Sequence, residues 1–136
     1  NVFEPFGYID ELLIRDFGKQ TVIWGIDGDW MVNVLPVGYE FYPTDHCGMV
    51  RVKSDEVLPR ILAHSLEQAG REVGFSRNYR ASIDRIKTLS VKMPPISEQQ
   101  KAVAEIEKYE AEIVKAAARL PQFEHAKRNV LEKYLR

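Results

Sequence analysis

The chain has 136 residues, of which 45% are hydrophobic and 29% are charged, and this balance excludes a wholly disordered protein. Its single cysteine excludes a disulfide scaffold and any multi-cysteine zinc or iron–sulfur site. No stretch approaches the roughly 18 apolar residues of a membrane-spanning helix, and the acidic start lacks the features of a signal peptide. We therefore expect a globular cytoplasmic protein, and the absence of an initiator methionine favours a fragment of a longer chain.

The first part of the chain has the pattern of a β-sheet. β-Branched and aromatic residues form short runs at 22–24 and 30–35, and the Asp27-Gly28 pair between them suits a tight hairpin turn. Residues 48–53 alternate between apolar and charged side chains, as in a half-buried strand. A further strand is predicted at 12–15. Together these runs predict a small sheet, either mixed or antiparallel.

A helix is predicted to follow the sheet. Asp55 can cap it, Pro59 suits its first turn, and apolar residues recur at helical spacing until Gly70. Residues 82–86 can form one further helical turn. The alternating side chains at 88–93 predict a short strand that two prolines then close.

The most regular element begins at Ser97. Ser97 and Gln100 have the spacing of a capping box, in which each side chain bonds the backbone N–H of the other residue. Beyond them, apolar residues recur at alternating spacings of four and three, as in a coiled-coil seam. A stripe this narrow requires a partner helix. The predicted partner-helix interface consists of Ala102, Ile106, Tyr109, Ile113, Ala116 and Leu120.

Pro121 interrupts this stripe. A proline inside a helix removes one hydrogen bond and clashes with the carbonyl four residues before it, here that of Ala117. We expect the helix to be kinked or broken near Pro121 and a second helix to follow. The predicted organisation is therefore α+β, with a sheet-containing domain at 1–96 and a long, coiled-coil-like helical segment at 97–136.

No catalytic or metal-binding signature is present in the sequence. Asp45, His46 and Cys47 are adjacent, but neighbouring side chains of a strand point to opposite faces and cannot easily converge on one ion. His64 and His125 complete no spaced cluster, and there is no glycine-rich phosphate loop or nucleophile elbow. We expect no catalytic residue, metal or cofactor on this chain, and an enzyme acting through Cys47 or His46 is the least favoured interpretation.

The charges are unevenly distributed, and the middle of the chain is basic. Residues 1–52 sum to −5, residues 53–93 to +3 and residues 94–136 to +1. Arginine suits phosphates and guanine edges, asparagine can read adenine, and tyrosine can stack or bond a phosphate. The candidate DNA-binding residues are Arg77, Asn78, Tyr79, Arg80, Arg85 and Lys87.

Two interpretations of this basic segment stay open. If it binds DNA, the acidic first third is expected to face away from the duplex, because its charge would repel phosphates at close range. In the other interpretation the segment is a solvated loop whose charges pair with that acidic third.

The stretch LSVKMPPISEQQKAVAEIEKYEAEIVKA at 89–116 strongly resembles the specificity subunits of type I restriction–modification systems. In those proteins a target recognition domain ends in a short strand, a PLPPLSEQQ junction and a long helix. The segments GMVRVK at 48–53, VLPRIL at 57–62 and VLEKYL at 130–135 are similar to the same family. The resemblance extends from about residue 48 to the C-terminus and is fainter before it.

The resemblance implies a non-catalytic component of a DNA-modifying complex. The partial recognition domain at 1–96 would read half of a bipartite site on double-stranded DNA. The helix at 97–136 would set the distance to the other half-site, mediate self-association and dock methyltransferase (M) subunits in a complex that also contains restriction (R) subunits. The methyltransferase, not this chain, would bind S-adenosylmethionine and flip and methylate the adenine.

The chain departs from the family pattern in two ways. A full specificity subunit carries two recognition domains and two long helices, and the usual opening of a recognition domain is missing here. The chain would then be either a half-subunit or the C-terminal piece of a methyltransferase–specificity fusion. The alternative function is a coiled-coil protein-interaction module that has no DNA role.

Overall fold

The structure is a computed structural model that describes residues 2–135. Its elements are β1 (Thr21–Gly25), β2 (Val32–Leu35), β3 (Cys47–Val50), α1 (Pro59–Val73), α2 (Ile83–Ile86) and α3 (Ile96–Tyr134). This arrangement confirms the predicted α+β class, a small sheet followed by a long C-terminal helix. The chain divides into two compact units, residues 1–99 and residues 100–136.

The first unit is built on an antiparallel sheet of three strands in the order β2-β1-β3. Val22 lies opposite Val34, and Trp24 lies opposite Val32 on one side and Gly48 on the other. Because side chains alternate along a strand, these residues share one face, and α1 packs against β1 and β2. The buried core cluster consists of Val22, Trp24, Val32, Ala63, Leu66, Phe75 and Ala81.

The hairpin between β1 and β2 forms as the sequence predicts, but its connection is longer than the predicted tight turn, since the last paired residues are Trp24 and Val32. Gly28 has a φ of 88°, a conformation that glycine adopts without the steric cost a side chain would add. The turn places Asp27 beside the end of β1, at the edge of the sheet where the candidate site lies.

Helix α1 begins later and ends later than predicted. Leu58 precedes it in an extended conformation without a side-chain cap, so the prediction that Asp55 caps the helix is wrong. At the other end the helix passes through Gly70 and stops at Gly74, whose φ is 85°. The N–H of Phe75 donates to the carbonyl of Gly70 at 3.0 Å, which closes a Schellman motif.

Gly70 has a packing role instead of a terminating one. The indole of Trp30 lies against it so closely that a Cβ would overlap the ring, and Trp30 Nε1 donates to the carbonyl of Glu67 at 2.8 Å. On an exposed helix Gly→Ala stabilises by about 1 kcal/mol. We expect Gly70→Ala to do the reverse and lower the thermal midpoint, because Trp30 must move. An equal or higher midpoint in a thermal melt would contradict this packing.

The strands predicted at 12–15 and 88–93 are wrong, since neither stretch is in a strand. Leu89 and Val91 instead pack against the core as part of an irregular segment. The hydroxyl of Ser65 on α1 donates to the carbonyl of Lys92 at 2.9 Å. The alternating pattern at 88–93 therefore arises because Leu89 and Val91 contact the core. The segment itself is not paired with a strand.

The second unit consists of the remainder of α3. The helix runs through Pro121 to Tyr134 without a break, so the break and the second helix predicted at this proline are wrong, and the alternative of a kink stays a prediction. The side chains around Pro121 are exposed, so water can bond the carbonyl of Ala117 that the proline leaves without a donor. No helix within residues 2–135 is long and apolar enough to cross a membrane.

Candidate nucleic-acid interface

A tight turn at 76–79 presents two of the candidate residues. The backbones of Ser76 and Tyr79 exchange hydrogen bonds in both directions, each 3.0 Å long, and Arg77 and Asn78 form the tip. Neither tip residue has a positive φ, so the turn has no need of glycine. Both tip side chains are exposed, and within residues 2–135 the structure gives neither a side-chain partner. They are free to contact a ligand.

A stack of three aromatic rings, which ends at Tyr79 of the turn, supports its backbone. The ring centroids of Trp30 and Phe75 are 5.1 Å apart, and those of Phe75 and Tyr79 are 5.5 Å apart with the planes inclined by 25°. The guanidinium carbon of Arg85 lies 4.1 Å from the centroid of Tyr79, a cation–π contact. Because Tyr79 is already in contact with two neighbours, its ring is part of the support of the turn.

A second support comes from β1. Trp24 Nε1 donates to the carbonyl of Ala81 at 2.9 Å, and the N–H of Ala81 donates to the carbonyl of Ile26 at 3.1 Å. Ala81 is buried directly after the candidate residues. The segment that carries the turn is therefore fastened to the sheet immediately behind it.

Arg80 is paired with the acidic part of the chain. Its Nε contacts Oδ1 of Asp27, and its Nη2 donates to Oδ2 of the same carboxylate at 2.9 Å. Asp27 belongs to the acidic first third, which therefore does not lie wholly apart from the basic segment. For Arg80 the structure shows the charge pairing of the solvated-loop interpretation.

Asp27 also contacts a histidine. Its Oδ2 bonds Nδ1 of His46, so one carboxylate serves two cationic or potentially cationic groups. The hydrogen bond from His46, together with Arg80, holds the pKa of Asp27 below its usual value. The same hydrogen bond and the nearby charge of Asp45 raise the pKa of His46. This cluster of Asp27, His46 and Arg80 escaped the sequence analysis, because 19 and 53 positions separate Asp27 from its two partners.

The last two candidates lie on and after α2. Ser82 caps this helix by accepting a hydrogen bond from the backbone N–H of Arg85, as expected for a serine at this position. Arg85 Nη1 donates to the carbonyl of Arg80 at 2.8 Å, and Lys87 lies 3.7 Å from Asp84 in an exposed pair. All six candidates therefore fall in one segment, but only the two at the tip of the turn lack side-chain partners within the described part of the chain.

Gln99 is a structural residue that the sequence analysis missed. It is fully buried, and its Oε1 accepts from the N–H of Leu58 at 2.8 Å. Its Nε2 donates to the carbonyls of Glu56 and Pro94 at 2.9 and 2.7 Å. The side chain thus supplies the acceptor that α1 lacks at its N-terminus, and it fastens the first turn of α3 to the chain before α1. The capping box predicted at Ser97 and Gln100 is wrong, because α3 begins at Ile96 and Ser97 lies inside its first turn. The glutamine with the structural role is the neighbouring Gln99.

The predicted partner-helix residues all lie on α3. Ile106, Tyr109, Ile113 and Leu120 are between 40% and 65% exposed, and the two alanines of the set are exposed as well. Apolar side chains of this size, repeated on one continuous helix, form a surface that soluble proteins usually cover. Among residues 100–135, the described part of the second unit, none is buried.

Cys47, His64 and His125 lie on three different elements of the structure. Cys47 is half-buried at the start of β3, where burial raises the pKa of its thiol and so disfavours the reactive thiolate. His64 on α1 and His125 on α3 are both exposed. Within residues 2–135 there is no group of three or more histidine, cysteine or carboxylate side chains that could hold a metal ion.

The described part of the chain is thus a small α+β unit with an exposed turn that carries Arg77, followed in sequence by a long helix. A family model described as the type I restriction modification DNA specificity domain matches residues 7–122. The chain therefore belongs to this family, whose domain recognises DNA without catalysis. Comparison with curated proteins and with solved structures finds no match.

Proposed function

We propose that this chain reads half of a bipartite DNA site, with the turn at 76–79 facing the duplex. The observation that carries the proposal is the tip of that turn, where Arg77 and Asn78 are exposed on a supported backbone in a member of a DNA specificity family. Arginine bonds a phosphate or a guanine edge through its planar fork, and asparagine pairs with adenine. The two tip residues are our first candidates for direct contacts.

The other basic residues have a different part in the proposal. Arg85 contacts the ring of Tyr79, and Arg80 is paired with Asp27. In this structure both arginines therefore stabilise the surface that carries the turn. Lys87 adds positive charge at the edge of the segment. Tyr79 would contact a sugar or a phosphate with the exposed part of its side chain, since a base could stack on it only if Arg85 moved.

We also propose that α3 is the spacer of the assembled enzyme. Its exposed apolar residues would pair with a helix of a second copy, which would carry the second half-site reader. Methyltransferase subunits would dock beside this helix, with restriction subunits completing the complex. S-adenosylmethionine would bind to the methyltransferase, and this chain would position that subunit over its target adenine.

Replacing Arg77 by alanine tests the DNA contact. We expect binding of the complex with its methyltransferase to random-sequence duplex DNA to weaken, because a phosphate contact releases counterions. The slope of log K against log salt should then become less steep by about 0.9. If Arg77 instead reads a base, affinity should fall only for the target site, by about 1–3 kcal/mol. The measurement is fluorescence anisotropy over a salt series.

Arg15→Ala is the matched control. It removes the same charge from an exposed arginine of the acidic first third, and it should leave the slope unchanged. Equal effects of Arg15→Ala and Arg77→Ala would show that only net charge matters. Unchanged affinity and slope for Arg77→Ala would contradict our placement of the turn. A complex that self-associates through α3 but never retains DNA would favour the coiled-coil interaction module.

A further inference from the structure

One carboxylate is shared between an arginine and a histidine at the edge of the candidate interface. Arg80 holds Asp27 through both carboxylate oxygens, and His46 bonds the second of these oxygens, Oδ2, through Nδ1. Arg80 follows directly after the turn that carries Arg77 and Asn78. A change of charge within this cluster therefore changes the electrostatic potential next to the proposed DNA contacts.

The net charge of the cluster depends on one proton. With His46 neutral, the charges of Asp27 and Arg80 cancel, and within residues 2–135 Arg80 is the cation that compensates the carboxylate. With His46 protonated, the imidazolium compensates Asp27 and the cluster carries one net positive charge. Arg80 can then exchange Asp27 for a phosphate, because the carboxylate it leaves keeps a cationic partner. Nearby phosphates would in turn favour the protonated histidine.

The groups that face His46 are few. Asp27 lies in the turn after β1, and Arg80 lies after the turn at 76–79. Asp45, in the loop before β3, places Oδ1 3.6 Å from Nε2 of the same imidazole. Both aspartates favour the protonated histidine, and Arg80 opposes it more weakly, so the pKa of His46 is raised above its usual 6.5. The pKa of Asp27 is lowered from 3.8, so Asp27 stays ionised while His46 titrates.

We propose that the cluster of His46, Asp27 and Arg80 is a proton-linked switch for DNA affinity, in which a protonated His46 releases Arg80 from Asp27 to a DNA phosphate. The inference rests on the proposed function, since it requires the turn at 76–79 to face the duplex. The partner it concerns is the phosphate backbone, so the effect is independent of DNA sequence.

The test is the affinity of the complex with its methyltransferase for a labelled random-sequence duplex, measured at constant ionic strength. Affinity should fall as the pH rises through the pKa of His46. We expect a loss of about threefold to tenfold from pH 6 to pH 8, because a bound phosphate would favour the protonated histidine. His46→Gln, which carries no proton in this range, should bind with the affinity of the wild type at about pH 8 and show a flat profile.

Two matched pairs of variants isolate the switch. His64→Gln removes an exposed histidine of α1 and should keep the pH dependence of the wild type. Asp27→Asn frees Arg80 at every pH, so it should bind more tightly than the wild type at about pH 8. Asp29→Asn removes the same charge from the same turn without freeing Arg80, and it should have a smaller effect.

The outcomes separate the two proposals. If the wild-type complex binds DNA but His46→Gln keeps the wild-type pH profile, the switch is refuted and the proposed function stands. If Asp27→Asn and Asp29→Asn tighten binding equally, Arg80 is not released, and the switch is again refuted. If the wild-type complex binds no DNA at any pH, the proposed function fails and the switch with it.

Discussion

Replacing Gln99 by alanine is expected to lower the free energy of unfolding by about 3 kcal/mol, mostly through lost hydrogen bonds. The side chain is fully buried and bonds one N–H and two carbonyls of the backbone. The three bonds are partly buried, so each backbone group that loses its partner costs about 1 kcal/mol, and the cavity left by the side chain adds a smaller loss. The affected groups belong to Glu56, Leu58 and Pro94, so the first turns of α1 and α3 should both loosen.

Gln99→Glu is the sharper substitution, because it keeps the shape of the side chain and changes only its chemistry. A carboxylate can still accept from the N–H of Leu58, but it cannot donate to the two carbonyls that Nε2 serves. Burial disfavours the ionised form, so the pKa of the new carboxyl should rise in the folded state. A raised pKa means that the unfolded chain loses its proton first, and stability falls as the pH increases.

Gln100→Ala is the matched control, since Gln100 has the same chemistry, is the next residue of the same motif, and is exposed. Chemical denaturation of the three variants beside the wild type gives the comparison. We expect Gln100→Ala to lie within about 0.5 kcal/mol of the wild type. Similar losses for Gln99→Ala and Gln100→Ala would show that the three bonds of Gln99 are not what stabilises this part of the fold, and would contradict the role assigned to Gln99.

The elements that the sequence predicted correctly are those fixed by local chemistry. The hairpin turn at Gly28 needs a positive φ, and α2 needs the hydroxyl of Ser82 at its start, and both requirements are visible within a few residues. The three strands are likewise marked by short runs of β-branched and aromatic residues. Such signals require no knowledge of what lies across the fold.

The predictions for the two ends of α1 were wrong because residues far away in the sequence determine the structure there. The start of α1 is satisfied by Gln99, which is 41 positions from Leu58, so the nearby Asp55 is not needed as a cap. Gly70 resembles a helix terminator in the sequence, but it is the surface on which Trp30 packs. In each case a tertiary contact replaces the local signal, and no pattern within α1 reveals it.

In the candidate site, too, local sequence predicted the position of the residues, whereas tertiary contacts determine their roles. Composition and spacing placed all six candidate residues in one basic segment, and the structure keeps them together. Their different roles could not be predicted, because the partners of Arg80 and Arg85 depend on how β1, the turn at 76–79 and α2 come together. The sequence indicated where positive charge accumulates, and the fold determines which of these charges remain free.

The double substitution Ile106→Asp with Ile113→Asp is expected to abolish self-association through α3. The two isoleucines are 40% and 65% exposed and occupy one row of the heptad, seven residues apart. In a coiled coil each would insert between side chains of the facing helix, and burial of such a side chain contributes about 1.5–3 kcal/mol. Two carboxylates in each helix would have to be buried without partners, so the paired state should not form.

Val114→Asp supplies the matched control for this pair. Val114 is 68% exposed on the same helix but lies outside the two heptad rows, so its substitution should leave the assembly intact. Sedimentation velocity over a concentration series distinguishes the cases, and the circular dichroism of each variant checks that α3 is still helical. A wild-type chain that stays monomeric throughout the series, or equal dissociation by Val114→Asp, would show that these rows do not join two copies. Loss of association in the isoleucine variant alone would establish the rows as the contact between two copies of the chain.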